Sequence, residues 1–243
     1  MPQDTMDQPL RIFVGYDSRE DIAWQVCRAS ILRHSAPDLE IRPLKLTTLR
    51  TAGLYSRHDH RATTEFSLTR FLTPHLSAAR NGWSIFVDCD FLFTTDIRNV
   101  LSHVSHDNAV HVVQHDYVPT AATKMDGQVQ TTYPRKNWSS FMVFNNGHPD
   151  VRALTPAMVN SAPPSHLHRL EWVADQDQIG ALPVAWNFLV GEYARPARLP
   201  FGIHYTNGGP WFEACHGVDF AAEWRAERDR YLASLEGRSA ECG

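Results

Sequence analysis

The chain has few cysteines, no long apolar run and no strong excess of one charge, and each lack closes off a class of function. The four cysteines among 243 residues (Cys27, Cys89, Cys215 and Cys242) are scattered, with no Cys-X-X-Cys pair. They make neither a disulfide framework nor a zinc ribbon, and a reducing compartment is the expectation. No apolar stretch approaches the roughly 18 residues that span a bilayer. Met1 to Pro9 is polar and lacks the apolar centre of a secretory leader. The expected location is therefore cytoplasmic, with peripheral contact at the inner face of a membrane left open. A net charge of −4 argues against a broad nucleic-acid-binding face. Many histidines are present, but no His-Glu-X-X-His spacing points to a metal hydrolase. There is no internal repeat, low-complexity segment or linker.

What is present is 43% hydrophobic residue content and an alternation of strand-like and helix-like segments. Arg11 to Asp17 reads as a first strand ending in a polar turn. Asp21 to His34 has helical apolar spacing, with Asp17 and Ser18 as capping candidates. Ile41 to Leu46, Ile85 to Phe93, Ala109 to Gln114, Ser140 to Asn145, Ala185 to Leu189 and Gly202 to Tyr205 read as further strands. Thr64 to Leu76, Val151 to Asn160 and Asp219 to Leu235 read as helices, the last ending at Gly237. The pattern predicts an α/β fold, with residues 1–9 a frayed tail and 10–243 one domain. The stretch from Gln114 to Trp138 is long and polar, suited to a lid or acceptor region.

The stretch that organises the rest is Ile85-Phe86-Val87-Asp88-Cys89-Asp90-Phe91-Leu92-Phe93. Two carboxylates in an apolar strand need a counter-charge, because an unpaired buried carboxylate costs several kcal/mol. A divalent cation supplies it most simply, and strand ends are where α/β proteins bind ligands. The alternative is a pair of solvated loop acids. Three further features bear on that choice. His204 ends a strand-like stretch ahead of Thr206-Asn207-Gly208-Gly209-Pro210-Trp211, where an imidazole could complete the site and glycines let backbone approach a pyrophosphate. Asp175-Gln176-Asp177 alternates groups that hydrogen-bond sugar hydroxyls, or caps a helix. Arg70 can reach phosphate or sugar oxygens, or form a surface ion pair.

As a set these features resemble the GT-A-fold glycosyltransferases, and most the retaining family that includes bacterial lipopolysaccharide galactosyl- and glucosyltransferases and glycogenin. The matching order is Asp17, Arg70, Asp88-Cys89-Asp90, Asp175-Gln176-Asp177, Leu182-Pro183 with Asn187, and His204 with Pro210-Trp211. The resemblance implies a single GT-A-like (Rossmann-like) domain with a central mixed, mostly parallel sheet flanked by helices. It implies a metal-dependent hexosyltransferase acting from a nucleotide-sugar, UDP-linked by preference, on a glycan, lipid or lipopolysaccharide acceptor with retention. By the same resemblance Asp88, Asp90 and His204 would bind Mn²⁺ or Mg²⁺. Gly15, Tyr16, Asp17, Arg70 and Cys89 would bind the donor. Asp175, Gln176 and Asp177 would carry the chemistry.

The chain also departs from the family. Gly209 stands where a Lys usually precedes the Pro-Trp pair. Either the backbone of Asn207, Gly208 and Gly209 replaces that charge, or Arg135 or Lys136 does. Asn137-Trp138-Ser139-Ser140 replaces the family's Asn-Ala-Gly stretch, so that Ser139 or Ser140 would approach the donor sugar. The competing readings are a non-catalytic nucleotide-sugar- or glycan-binding protein and a sugar nucleotidyltransferase. The latter would want a Gly-rich basic loop after the first strand, and Gly15-Tyr16-Asp17-Ser18-Arg19-Glu20 is not one.

Overall fold

The computed structural model describes residues 10–35, 39–58, 63–116 and 134–241. The tail at 1–9 and the 117–133 part of the suggested lid lie outside the described residues. The strands are β1 (Arg11–Gly15), β2 (Glu40–Leu44), β3 (Trp83–Val87), β4 (Phe91–Phe93), β5 (Val110–Val112), β6 (Phe141–Asn145), β7 (Ile179–Ala181), β8 (Phe188–Leu189) and β9 (Gly202–His204). The helices are α1 (Asp21–His34), α2 (Leu46–Thr51), α3 (Thr73–Ser77), α4 (Pro149–Arg152), α5 (Pro156–Ser161), α6 (Pro164–His168) and α7 (Ala221–Glu241).

Six strands form the main sheet in the order β2-β1-β3-β6-β5-β7. Only β6 runs against its two neighbours, so the sheet is mixed and mostly parallel, as expected. In β3, Ile85, Phe86 and Val87 are fully buried between β1 and β6, which is what a continuous apolar run in a central strand requires. A second sheet, β4-β9-β8, joins β4 antiparallel to β9. Its apolar cluster includes Leu92, Ile203, Tyr205, Phe220 and Trp224. α7 packs against α1, where the carboxylate of Glu227, itself buried, pairs with Arg33 at 2.6 Å and Arg230 at 2.8 Å. Among the described residues, no helix is long and apolar enough to cross a membrane.

Four expectations need correcting. The strand predicted over Ile85 to Phe93 is two strands in two sheets, broken at Asp88-Cys89-Asp90. The helix predicted over Thr64 to Leu76 is a series of turns and a 3₁₀ segment followed by the short α3. Pro74 lies in the first turn of α3, and its missing N–H prevents a helix from running through it. Pro156 likewise divides the helix predicted over Val151 to Asn160 into α4 and α5, with the Thr155 hydroxyl capping the second. The last helix continues through Gly237 to Glu241; an isolated glycine inside a helix costs only about 1 kcal/mol.

Candidate metal and nucleotide site

The break between β3 and β4 creates the site. The Asp88 N–H donates to Ser140 O at 2.9 Å and closes the end of the β3–β6 ladder. The chain then turns through Cys89 and Asp90 and enters the second sheet, where Phe91 stands opposite His204. The Tyr205 N–H donates to Asp90 O at 3.0 Å, and the His204 ring stacks on Phe91 with centroids 4.4 Å apart. Strand pairing thus fixes an imidazole beside two carboxylates 114 to 116 residues earlier in the chain. One ligand atom from each of Asp88, Asp90 and His204 lies within 4.8 Å of the others.

The electrostatics of this trio favour a shared cation. His204 Nδ1 is 2.8 Å from Asn187 Oδ1, and Asn187 Nδ2 donates to Asn137 O at 3.1 Å. The second bond fixes the amide so that its oxygen faces the ring. The Asn187 oxygen therefore accepts from Nδ1–H of His204, and the ring turns Nε2 toward Asp90 Oδ2, 3.3 Å away. A divalent cation there would be met by Asp90 Oδ2 and by Nε2 of the neutral imidazole. Burial pushes the Asp88 carboxyl up to about 6, with Arg70 opposing the shift and Asp90 adding to it. Arg70 Nη1 sits 2.9 Å from Asp88 Oδ1, an ion pair outside hydrogen-bonding alignment, and donates to Ser139 O at 2.9 Å.

The other sequence-predicted residues divide into three groups. Asn207 and Gly208 line an open cleft beside Asp90, together with Arg19, Glu20 and Thr63. The Gly208 N–H closes onto Tyr205 O at 2.8 Å, which leaves Asn207 and Gly209 as the N–H groups of that turn that could meet a phosphate. A Cβ on Gly209 would lie 1.9 Å from the Trp211 ring, so the packing of Trp211 explains why no lysine stands there.

A second group supports the site from behind. Ser139 and Ser140 are buried; the Ser139 hydroxyl pairs with His168 Nδ1 at 3.0 Å, and the Ser140 side chain bonds Asp88. They hold the Asp88–Arg70 pair. Gly15 ends β1 against the Phe66 ring, where a Cβ would approach to 2.5 Å. The Tyr16 hydroxyl donates to Asp21 at 2.9 Å. Cys89 is buried in the main apolar cluster, so its side chain does not face the cleft. Asp17 is fully buried and saturated. It accepts from Arg19 N and Nε at 3.0 Å, from Arg19 Nη2 at 2.8 Å and from Glu65 N at 3.2 Å. Those bonds hold its carboxyl below the usual range against the upward pull of burial.

The third group is displaced. Asp175, Gln176 and Asp177 are exposed and precede β7, which runs in the same direction as β3. The Ala109 N–H meets Gln178 O, and the Asn145 N–H meets Ala109 O, level with Trp83 at the start of β3. The motif therefore lies at the opposite end of the sheet from Asp88. Only the Gln176 side chain turns back, to accept from Arg135. The structure does not bring these three residues to the cluster.

Sequence reasoning missed Glu20 and the His115–Tyr193 pair. Glu20 lies in the cleft, its Oε2 accepting from Trp211 Nε1 at 3.2 Å. Burial, with the charges of Asp90 and Asp17, pushes its carboxyl up to about 7. His115 Nδ1 is 2.8 Å from the Tyr193 hydroxyl, and burial with the neighbouring His204 pulls the ring down to about 3.

No family model matches the chain. It is 48% identical over 229 residues to Protein CDI of Arabidopsis thaliana, a match that covers 92% of this chain and 88% of that protein. The chain belongs to the Protein CDI family. Among solved structures this CDI-family chain is similar to three glycosyltransferases. GlyE of Streptococcus pneumoniae TIGR4, in its apo form, is 12% identical with a TM-score of 0.61, over 96% of this chain and 64% of GlyE. The bifunctional enzyme WbbM is 17% identical with a TM-score of 0.58, over 92% of this chain and 50% of WbbM. The galactosyltransferase LgtC, solved with donor and acceptor sugar analogs, is 13% identical with a TM-score of 0.57, over 91% of this chain and 96% of LgtC. The CDI-family chain thus spans half to two-thirds of the first two and nearly all of the third. It has the GT-A-like glycosyltransferase fold.

Proposed function

We propose that the chain is a metal-dependent hexosyltransferase that uses a nucleotide-sugar, UDP-linked by preference, and a glycan, lipid or lipopolysaccharide acceptor. The observation that carries the reading is the convergence of Asp88, Asp90 and His204 on one point at the end of a central strand. Two carboxylates with one imidazole suit Mn²⁺, or Mg²⁺ less well, since Mg²⁺ prefers an all-oxygen shell. Such an ion, when bound, neutralises the charge that develops on the departing diphosphate. Asp88 and Asp90 would hold it through oxygen and His204 through Nε2, while Asn187 keeps the His204 proton on Nδ1. Arg70 keeps Asp88 in place. The N–H groups of Asn207 and Gly209 would meet the diphosphate, and Lys136, buried beside Asn137, is a candidate for a further positive charge. Retention rests on the family resemblance alone. Under it the leaving phosphate would take the proton of the incoming hydroxyl, a route that asks nothing of Asp175, Gln176 or Asp177.

The displacement of those three residues and the glycine at 209 favour a second reading, a non-catalytic nucleotide-sugar-binding protein. Calorimetric titration of UDP and GDP with and without Mn²⁺ tests the donor site. Binding that needs Mn²⁺ and disappears in Asp90→Asn is the expected result, and metal-independent binding or none would refute it. Turnover of a UDP-hexose, as transfer or slow hydrolysis, separates the enzyme from the binding protein.

A further inference from the structure

Asp17 is the acid among the residues expected to bind the donor through the β1 turn, and its carboxylate is unavailable: it is fully buried and engaged by Arg19 and the Glu65 N–H. The carboxylate that does line the cleft is Glu20, three residues on, in the same wall as Arg19 and Thr63 and on the same side as Asp90. Its Oε2 is fixed by Trp211 Nε1 at 3.2 Å, which leaves Oε1 to the cleft. Trp211 is itself clamped over Gly209 and packed edge-on against Tyr205, with centroids 5.8 Å apart, so Glu20 is held from behind by rigid aromatic groups.

We infer that Glu20 is a specificity-determining residue that reads the vicinal ribose hydroxyls of the donor nucleoside, an inference that rests on the nucleotide-sugar reading above. Above its value of about 7 Glu20 is ionised and an acceptor-only group, suited to two hydroxyl donors in the way an acidic residue holds ribose in dinucleotide-binding folds. Position agrees. A diphosphate on the Asp88–Asp90–His204 cluster carries ribose on one phosphate and hexose on the other; Glu20, in the turn from β1 to α1 and in one cleft with Asp90, stands on the side where α/β folds hold the nucleoside. The competing assignment, that Glu20 only caps α1, fails because no side-chain cap bond joins it to that helix.

The test compares UDP with 2′-deoxy-UDP and 3′-deoxy-UDP by calorimetry in Mn²⁺ at pH 8, where Glu20 is ionised, with a parallel GDP series. Wild-type protein should bind the ribo form ~10- to 100-fold more tightly than either deoxy form, the value of a hydrogen bond to a charged group. In Glu20→Ala the gap should shrink to about twofold, with the deoxy affinities little changed. Glu20→Gln keeps an acceptor for Trp211 and should fall between the two. A wild-type protein that binds UDP with Mn²⁺ but ignores the deoxy changes overturns the inference while leaving the donor reading intact, and it does so whether or not any variant folds. A ribose preference that survives in Glu20→Ala also overturns it. Failure of every nucleotide to bind wild-type protein overturns both.

Discussion

Replacing Arg70 with leucine tests how the site is held when no metal is bound. The Arg70 and Asp88 side chains are only 7% and 12% exposed, and the guanidinium lies 2.9 Å from the carboxylate. Arg70 also donates to Ser67 O and Ser139 O, both at 2.9 Å, and packs over Phe66 and Phe86 at 5.3 and 5.0 Å. Leucine keeps much of the apolar contact and removes the charge. Breaking a buried pair by deleting one partner costs about 3–5 kcal/mol, because the remaining charge is left uncompensated. At roughly 2–4 °C per kcal/mol for a chain of this size, Tm should fall by ~6–20 °C at pH 7.5 in EDTA.

The sign with pH follows from Asp88, whose folded-state value of about 6 exceeds its ordinary 3.8. Ionised Asp88 needs Arg70 only above that folded value. Below it the carboxyl is protonated in both proteins and the charge part of the deficit disappears. Thermal unfolding of wild type and Arg70→Leu at pH 5 and 7.5, in EDTA and in millimolar Mn²⁺, should therefore show the full deficit in one condition only: neutral pH without metal. Mn²⁺ should restore part of it by standing in for the lost charge. An equal deficit under all four conditions would refute the argument and reduce Arg70 to a packing and backbone-bonding role.

Three further outcomes are expected. Asn187→Ala should weaken Mn²⁺ binding by about 10- to 100-fold through loss of the His204 orientation, whereas Asn187→Asp, which keeps the acceptor, should lose less; equal losses by calorimetry would count against the assigned tautomer. Gly209→Lys, which introduces the lysine of the glycosyltransferases that the sequence resembles, should destabilise the protein by roughly 1–3 kcal/mol, since its Cβ would lie 1.9 Å from the Trp211 ring; unchanged stability with tighter UDP binding would show that the turn can reshape. His111 is 2% exposed and burial pulls it down to about 4, below its ordinary 6.5, so the stability it contributes is full above pH 6.5 and is lost as pH falls toward 4. His111→Gln should therefore lose about 2 kcal/mol less than wild type between pH 7 and 5 in urea unfolding, and parallel losses would show that this ring does not govern the acid limb.

The Asp88–Asp90–His204 cluster was legible because its signals are local. Two aspartates interrupt an apolar strand, and a histidine ends another. What strands could not reveal singly is that β4 pairs with β9, the long-range register that sets His204 beside Asp90. Pro74 and Pro156 stood in the sequence as helix boundaries, and the longer helices placed across them ignored that signal. Asp175-Gln176-Asp177 has the right residue types for sugar recognition, but its distance from the site follows from strand direction, which composition does not carry. Asp17 and Glu20 look interchangeable in sequence as acids ahead of a helix. Only the wrap of Arg19 around Asp17 decides which one is buried and which faces the cleft.

The charge balance of the cleft explains why metal and nucleotide should bind together. Asp88, Asp90 and Glu20 converge on one region, and the guanidinium among them, Arg70, is already paired with Asp88. Arg19, the other guanidinium in the cleft wall, is committed to Asp17. A nucleoside diphosphate brings further negative charge into this low-dielectric setting, where like charges a few ångströms apart repel by several kcal/mol. Under the proposed reading the protein alone would therefore repel the phosphates, the more so as Glu20 ionises above about 7, while Glu20 would still suit the ribose. A divalent cation on the trio reverses the first without disturbing the second. The proposed metal dependence thus has two supports, the charge balance of the cleft and the convergence of Asp88, Asp90 and His204.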